Sequence, residues 1–250
     1  LAVSFNKVTP STDPACPTPP PSCTPVVQSC SDVVQVMAKT NPWLAGMRDG
    51  SIIPYADTDD SDDVSDDRAP TASPLEIAFL SAQCLSEGSV LTFEPAGAIA
   101  FDFREAPSGP EGRLSFLTHH VVDRNSDGFA SNGEKNSLES FNGISNIEVP
   151  INGMVGVFLD ANAPNTTTAP AMLNYSAPAL RNQLSFSPVL KQVFFIGDGR
   201  TDSGVVQQFV VPAGATRLFV GVMDKFEWNN NLGSLTVKVN RLTPAPACRP

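Results

Sequence analysis

The chain is short of charge, of histidine and of long apolar runs. Only 17% of its 250 residues are charged, and basic residues number 16 against 26 acidic ones, a net charge of −10. So acidic a chain repels phosphate backbones at long range, which argues against a nucleic-acid partner. No apolar stretch approaches the ~18 residues of a membrane-spanning helix, and the longest, 154–159, is strand-sized. With two histidines, His119 and His120, adjacent in sequence, imidazole metal chemistry is poorly supplied, because neighbouring strand residues face opposite sides. Gly-x-Ser-x-Gly, His-Glu-x-x-His and phosphate-loop motifs are all missing, so the chain reads as non-enzymatic. No basic, apolar leader opens the sequence, and the expectation is a processed, secreted chain.

Proline and short apolar stretches are abundant. Residues 1–40 read as an extended arm: Leu1, Val3 and Phe5 alternate with Ala2, Ser4 and Asn6, and a stretch rich in Pro follows at 10–25. Alternation predicts a short strand, and the proline stretch favours polyproline geometry that packs no core. Residues 31–38 fit a helical turn or a strand equally. The five cysteines, Cys16, Cys23, Cys30, Cys84 and Cys248, form no Cys-x-x-Cys pair, so disulfides in an oxidising compartment are preferred to zinc. Spacing leaves connectivity open; a bridge within the first three and one from Cys84 to Cys248 is the favoured arrangement.

From residue 41 to 243 the expectation is one β domain, with a tail at 244–250. Candidate strands fall at 75–81, 89–93, 98–103, 114–122, 155–159, 192–196, 207–211, 216–222 and 234–239. Turn residues separate nearly all of them, among them Pro95-Ala96-Gly97, Gly197-Asp198-Gly199 and Pro212-Ala213-Gly214. Many short strands with regular turns predict a sandwich or jelly roll. The Asp-rich run 57–67 reads as a solvated, self-repelling loop, with calcium binding the competing reading.

Residues 123–134 match the twelve-residue calcium loop at each required place. Asp123, Asn125 and Asp127 stand at positions 1, 3 and 5, Gly128 at 6 and Glu134 at 12. Alternate side chains of a tight coil point inward with hard oxygens; Phe129 offers its carbonyl, Ser131 a hydroxyl or a bridging water, and Glu134 both carboxylate oxygens. The residues before it look like strand, so the expectation is an isolated Ca2+ loop inserted in the β domain rather than a helix–loop–helix.

Near the C-terminus an apolar strand ends in Asp224, and Trp228-Asn229-Asn230-Asn231-Leu232-Gly233-Ser234 precedes the final strand. This segment, with Asn41-Pro42-Trp43, residues 88–93, 142–146 and 194–199, resembles the PA-IL family of calcium-dependent, galactose-binding bacterial lectins, especially its longer secreted forms. The resemblance implies an all-β, jelly-roll, galactose-binding-like β-sandwich, here carrying the extended Pro-rich N-terminal arm. It implies one calcium ion on Asp224, Asn230 and Asn231, with sugar hydroxyls completing the shell. Trp228 or Phe226 would stack on the sugar or cover the site. Gly109-Pro110-Glu111-Gly112 resembles the family's Gly-Pro-x-Gly before a sugar-contacting histidine, which gives His119 and His120 a candidate sugar role. The loop is about one residue shorter than the family's, and the chain is twice the length of the small lectins. The expected partners are galactose-like carbohydrate or copies of the chain itself, the latter if the lectin fold serves as scaffold in an extracellular assembly.

Overall fold

The computed structural model describes residues 30–53, 56–57, 67–79, 82–118, 123–124, 140–226 and 228–242. Their strands, in chain order, are β1 (Ser31–Met37), β2 (Ile52–Ile53), β3 (Ala56–Asp57), β4 (Asp67–Arg68), β5 (Leu75–Glu76), β6 (Val90–Ala100), β7 (Arg113–Thr118), β8 (Asp123–Arg124), β9 (Ile147–Ile151), β10 (Met154–Leu159), β11 (Leu173–Asn174), β12 (Ser185–Phe186), β13 (Val193–Phe195), β14 (Gln208–Val210), β15 (Arg217–Val222) and β16 (Leu232–Leu242). Helical structure among the described residues is confined to short turns such as Pro42–Leu44 and α1 (Pro178–Arg181). The fold is all-β.

Two sheets carry the core. One runs β1-β16-β6-β14-β12, the other β13-β10-β15-β5. Smaller sheets, β11-β9-β7, β2-β4 and β3-β8, flank them. The first sheet alternates: Leu235, Val237 and Val239 are buried, and Thr236 and Lys238 between them are exposed. That is the pattern of a sheet with one wet face. β10 is buried at all six positions, as a strand covered on both faces must be. Aromatic rings join the layers. Phe209 of the first sheet lies 5.7 Å from Phe194 of the second, and Phe194 stacks on Phe158 at 5.2 Å.

The structure corrects the sequence reading in three places. Residues 31–37, assigned to the arm, form β1, paired along its whole length with β16. The bridge found is Cys30–Cys84, so Cys84 is not joined to Cys248. It pins the start of β1 to the turn before β6. Third, Pro95-Ala96-Gly97 is no turn. β6 runs straight through it, in continuous register with β16 from Val90↔Leu242 to Ala100↔Leu232. The bonds Ala38 N to Gly233 O and Arg241 N to Cys30 O assign the odd-numbered residues of β16 to β1. Pro95 lies opposite Val237, so its missing N–H falls on the side away from β16, beyond the end of β14, and no ladder bond is lost. Gly97 has φ +123°, and a Cβ there would sit 2.5 Å from Ser234 O; the glycine marks a close backbone approach inside a strand.

Candidate metal centre

β15 delivers Asp224 to the end of the second sheet. Beyond the strand, Met223 N donates to Gly153 O and Asn152 N donates to Met223 O, which fixes the chain just before Asp224. The carboxyl of Asp224 is 4% exposed. It accepts hydrogen bonds from Lys225 N, from the Asn231 side chain and from Phe226 N. Burial nonetheless pushes its pKa up to about 8, with the charge of Asp67 a smaller contribution in the same direction, against those hydrogen bonds.

Asp67, at the start of β4 and also buried, faces the same place. Its Oδ2 accepts from Asn41 Nδ2 at 2.8 Å and from Trp228 N at 3.4 Å. Asn41 in turn caps the turn at Pro42–Leu44, its Oδ1 accepting from Trp43 N. Asn231 closes the arrangement: its N donates to Trp228 O, and its Nδ2 donates to Ala38 O at 3.1 Å. Residues from the beginning and the end of the folded body therefore meet here.

Two oxygens in this cluster are left over. Asn230 Oδ1 and Asn231 Oδ1 are buried and accept no hydrogen bond. Leaving a buried acceptor unmade costs about 1–3 kcal/mol. Asp224, Asp67 and Asn231 form a set of hard oxygens, with Asn230 next to Asn231 in sequence, the kind that suits Ca2+ rather than a thiophilic metal. Among the described residues no three His, Cys, Asp or Glu side chains gather into a metal-binding group, so a thiolate or imidazole centre is not built there.

Of the residues expected from sequence, Asp224 and Asn231 are in contact, and Asn230 precedes Asn231 in the same loop. Of the two roles expected for Trp228, burial disfavours sugar stacking: it is 0% exposed, donates from Nε1 to Val222 O at 2.8 Å, and packs edge-on against Trp43 at 5.8 Å. A ring enclosed on all sides cannot also receive a sugar, and Phe226 is likewise buried. Asp67 and Asn41 were not singled out as ligands. Asp67 ends the acidic run read as solvated, and its burial overturns that reading for this residue; its only local signal is that Arg68 and Ala69 end the run of carboxylates. The calcium loop 123–134 contributes only backbone to the described residues, where β8 pairs in parallel with β3. Asn125, Asp127, Phe129, Ser131 and Glu134 lie outside the described residues, as do His119, His120 and 58–66. Glu111, in the Gly-Pro-x-Gly segment, docks on the loop after β13, its Oε1 accepting from Asp198 N at 2.8 Å. Burial and the adjoining Asp198 hold its carboxyl well above the usual range.

Compared with protein-family models, with curated proteins and with solved structures, the chain matches none.

Proposed function

We propose that this chain is a calcium-stabilised β-sandwich of the galactose-lectin type, acting outside the cell as a structural subunit of an assembly. The observation that carries the reading is the buried Asp224 in contact with Asn231, whose Oδ1 is unsatisfied, as is that of the adjoining Asn230. Asp67 and Asp224 would supply charge to a Ca2+ ion, and Asn230 and Asn231 neutral oxygens. When bound, the ion supplies positive charge beside the buried Asp224. Asn41, Trp43 and Trp228 are positioning residues, which hold the β4 segment against the β15–β16 loop.

The jelly-roll topology and a second ion in the loop 123–134, on Asp123, Asn125, Asp127, Phe129, Ser131 and Glu134, belong to the same proposal. The disulfide and the absence, among the described residues, of a helix long and apolar enough to cross a membrane are compatible with secretion. Binding, not catalysis, is the proposed role.

Carbohydrate recognition at Asp224 is the second reading, and the burial of Asp224, Asn231 and Trp228 weighs against it. Only Asn230 reaches the rim, half-buried. Scanning calorimetry separates the two. Calcium should raise the melting temperature of the native chain, Asp224→Asn should lose the larger part of that rise, and added galactose should change neither. A further galactose-dependent rise in the calcium-loaded protein would favour the lectin reading.

A further inference from the structure

β12 and β14 are partners at one end of the first sheet, and no strand covers the other side of β12 among the described residues. β11 stands in the same position beside β9. Between these two uncovered edges lies a groove of about 370 Å3, lined by Leu173, Tyr175, Leu180, Ser185, Phe186 and Pro188. Its floor is aromatic and anchored in the core, with Tyr175 and Phe186 each 5% exposed and their rings 5.8 Å apart. At its side Leu180 is 38% exposed and the neighbouring Leu184 60%. An uncovered strand edge beside exposed leucines invites pairing with another chain, and proteins normally blunt such edges with charge or proline. The opposite edge of this sheet is blunted in that way: in β1 the carboxylate of Asp32 accepts from Val33 N.

We propose that this groove receives residues 1–9 of a second copy, which add to β12 as an extra strand. The inference rests on the assembly reading above and not on the cation. Leu1, Val3 and Phe5 present an apolar face with the two-residue period a strand requires, against the small or polar Ala2, Ser4 and Asn6. Such a segment places alternate side chains in a groove while its backbone satisfies the open edge. The connecting residues 10–29 hold most of the early prolines, and an extended Pro-rich chain of that length, at ~3.1 Å per residue, would span on the order of 60 Å. Sheet order supplies the direction. The arm joins the body at Cys30, beside β1, and the groove lies at β12, the far edge of the same five-stranded sheet. A donor leaving one edge and an acceptor on the opposite edge make a heterologous contact, which propagates head to tail instead of closing as a two-fold dimer.

The test compares three proteins in calcium by light scattering and negative-stain microscopy: the full chain, a variant lacking residues 1–9, and Leu180→Glu with Leu184→Glu. The full chain should form concentration-dependent linear polymers. The deletion variant should be monomeric with an unchanged calcium-dependent melting temperature, and should bind a synthetic peptide of residues 1–9. The groove variant should bind that peptide at least tenfold more weakly. A monomeric full chain, polymers that persist without residues 1–9, or equal peptide binding by the groove variant would each overturn the proposal. Failure of the cation reading would show separately, as melting temperatures that ignore calcium in all three proteins.

Discussion

A carboxyl that is buried with no cation beside it binds a proton more tightly in the folded state than in the unfolded one. Asp224, raised to about 8 by burial, therefore stabilises the metal-free fold most below the ordinary aspartate range near 4, and that contribution is lost as pH rises towards 8. A divalent ion competes with the proton. Apparent calcium affinity should climb between pH 5 and 8 and level off above it, while the stability of the chelator-treated protein falls over the same interval. Calcium titrations and thermal melts across that range check both slopes, and Asp224→Asn should flatten them. Magnesium should not substitute, because its tight octahedral shell dehydrates reluctantly. At this scale the sequence was partly legible. Asp224, Asn230 and Asn231 stand close together in one loop, and they were reached through the resemblance of that loop to the lectin family. Asp67 and Asn41 come from a different part of the chain and meet the loop through long-range contacts, the bond from Trp228 N to Asp67 and the one from Asn41 to Asp67, which no local pattern encodes. For Trp228 two roles stood open, because an aromatic beside polar ligands suits a sugar platform and a covering plug equally well in sequence.

Among the elements, β1 and β6 departed furthest from expectation. β1 is an edge strand held at both ends, by the Cys30–Cys84 disulfide at its start and by the Asn231 to Ala38 hydrogen bond just past its end. Closing 54 residues of sequence removes chain entropy from the unfolded state worth up to about 4 kcal/mol. Cys84→Ser should cost about 2–4 kcal/mol in denaturant titrations and raise amide exchange chiefly in β1. The strand escaped a firm assignment because its partner, β16, lies about two hundred residues away, and Ser31–Met37 alone fits a turn as well as a strand. In β6 the Pro-Ala-Gly sequence is a legitimate turn signal. It is overridden because the Pro95 nitrogen lies on the side that needs no donor and Gly97 allows close contact with Ser234 O. Gly97→Ala should destabilise by about 1–3 kcal/mol through that contact and its positive φ, whereas Gly88→Ala, with open space around it, should show only the smaller cost of its own positive φ. Denaturant midpoints of the two variants give the comparison. Three strands of the second sheet, β10, β13 and β15, were placed closely by sequence, because a run buried on both faces leaves an unbroken apolar signal, as in Met154–Leu159; β5, expected over 75–81, is only Leu75–Glu76.

Across the whole molecule, the cluster at Asp224 ties the two ends of the folded body together. Ala38, Asn41 and Asp67 come from its beginning, and Asp224 to Asn231 from its end, so a cation there would act as a clasp between them. The all-β class was legible from composition and turn spacing; the clasp was not, because it depends on a long-range meeting of segments. This clasp should bind calcium independently of the loop 123–134. Equilibrium dialysis of the double variant Asp123→Ala with Glu134→Ala isolates it, since the remaining high-affinity site is then the buried one. That variant should hold one calcium ion per chain, and none once Asp224→Asn is added; a double variant that binds no calcium, or an ion that survives Asp224→Asn, would rule the clasp out.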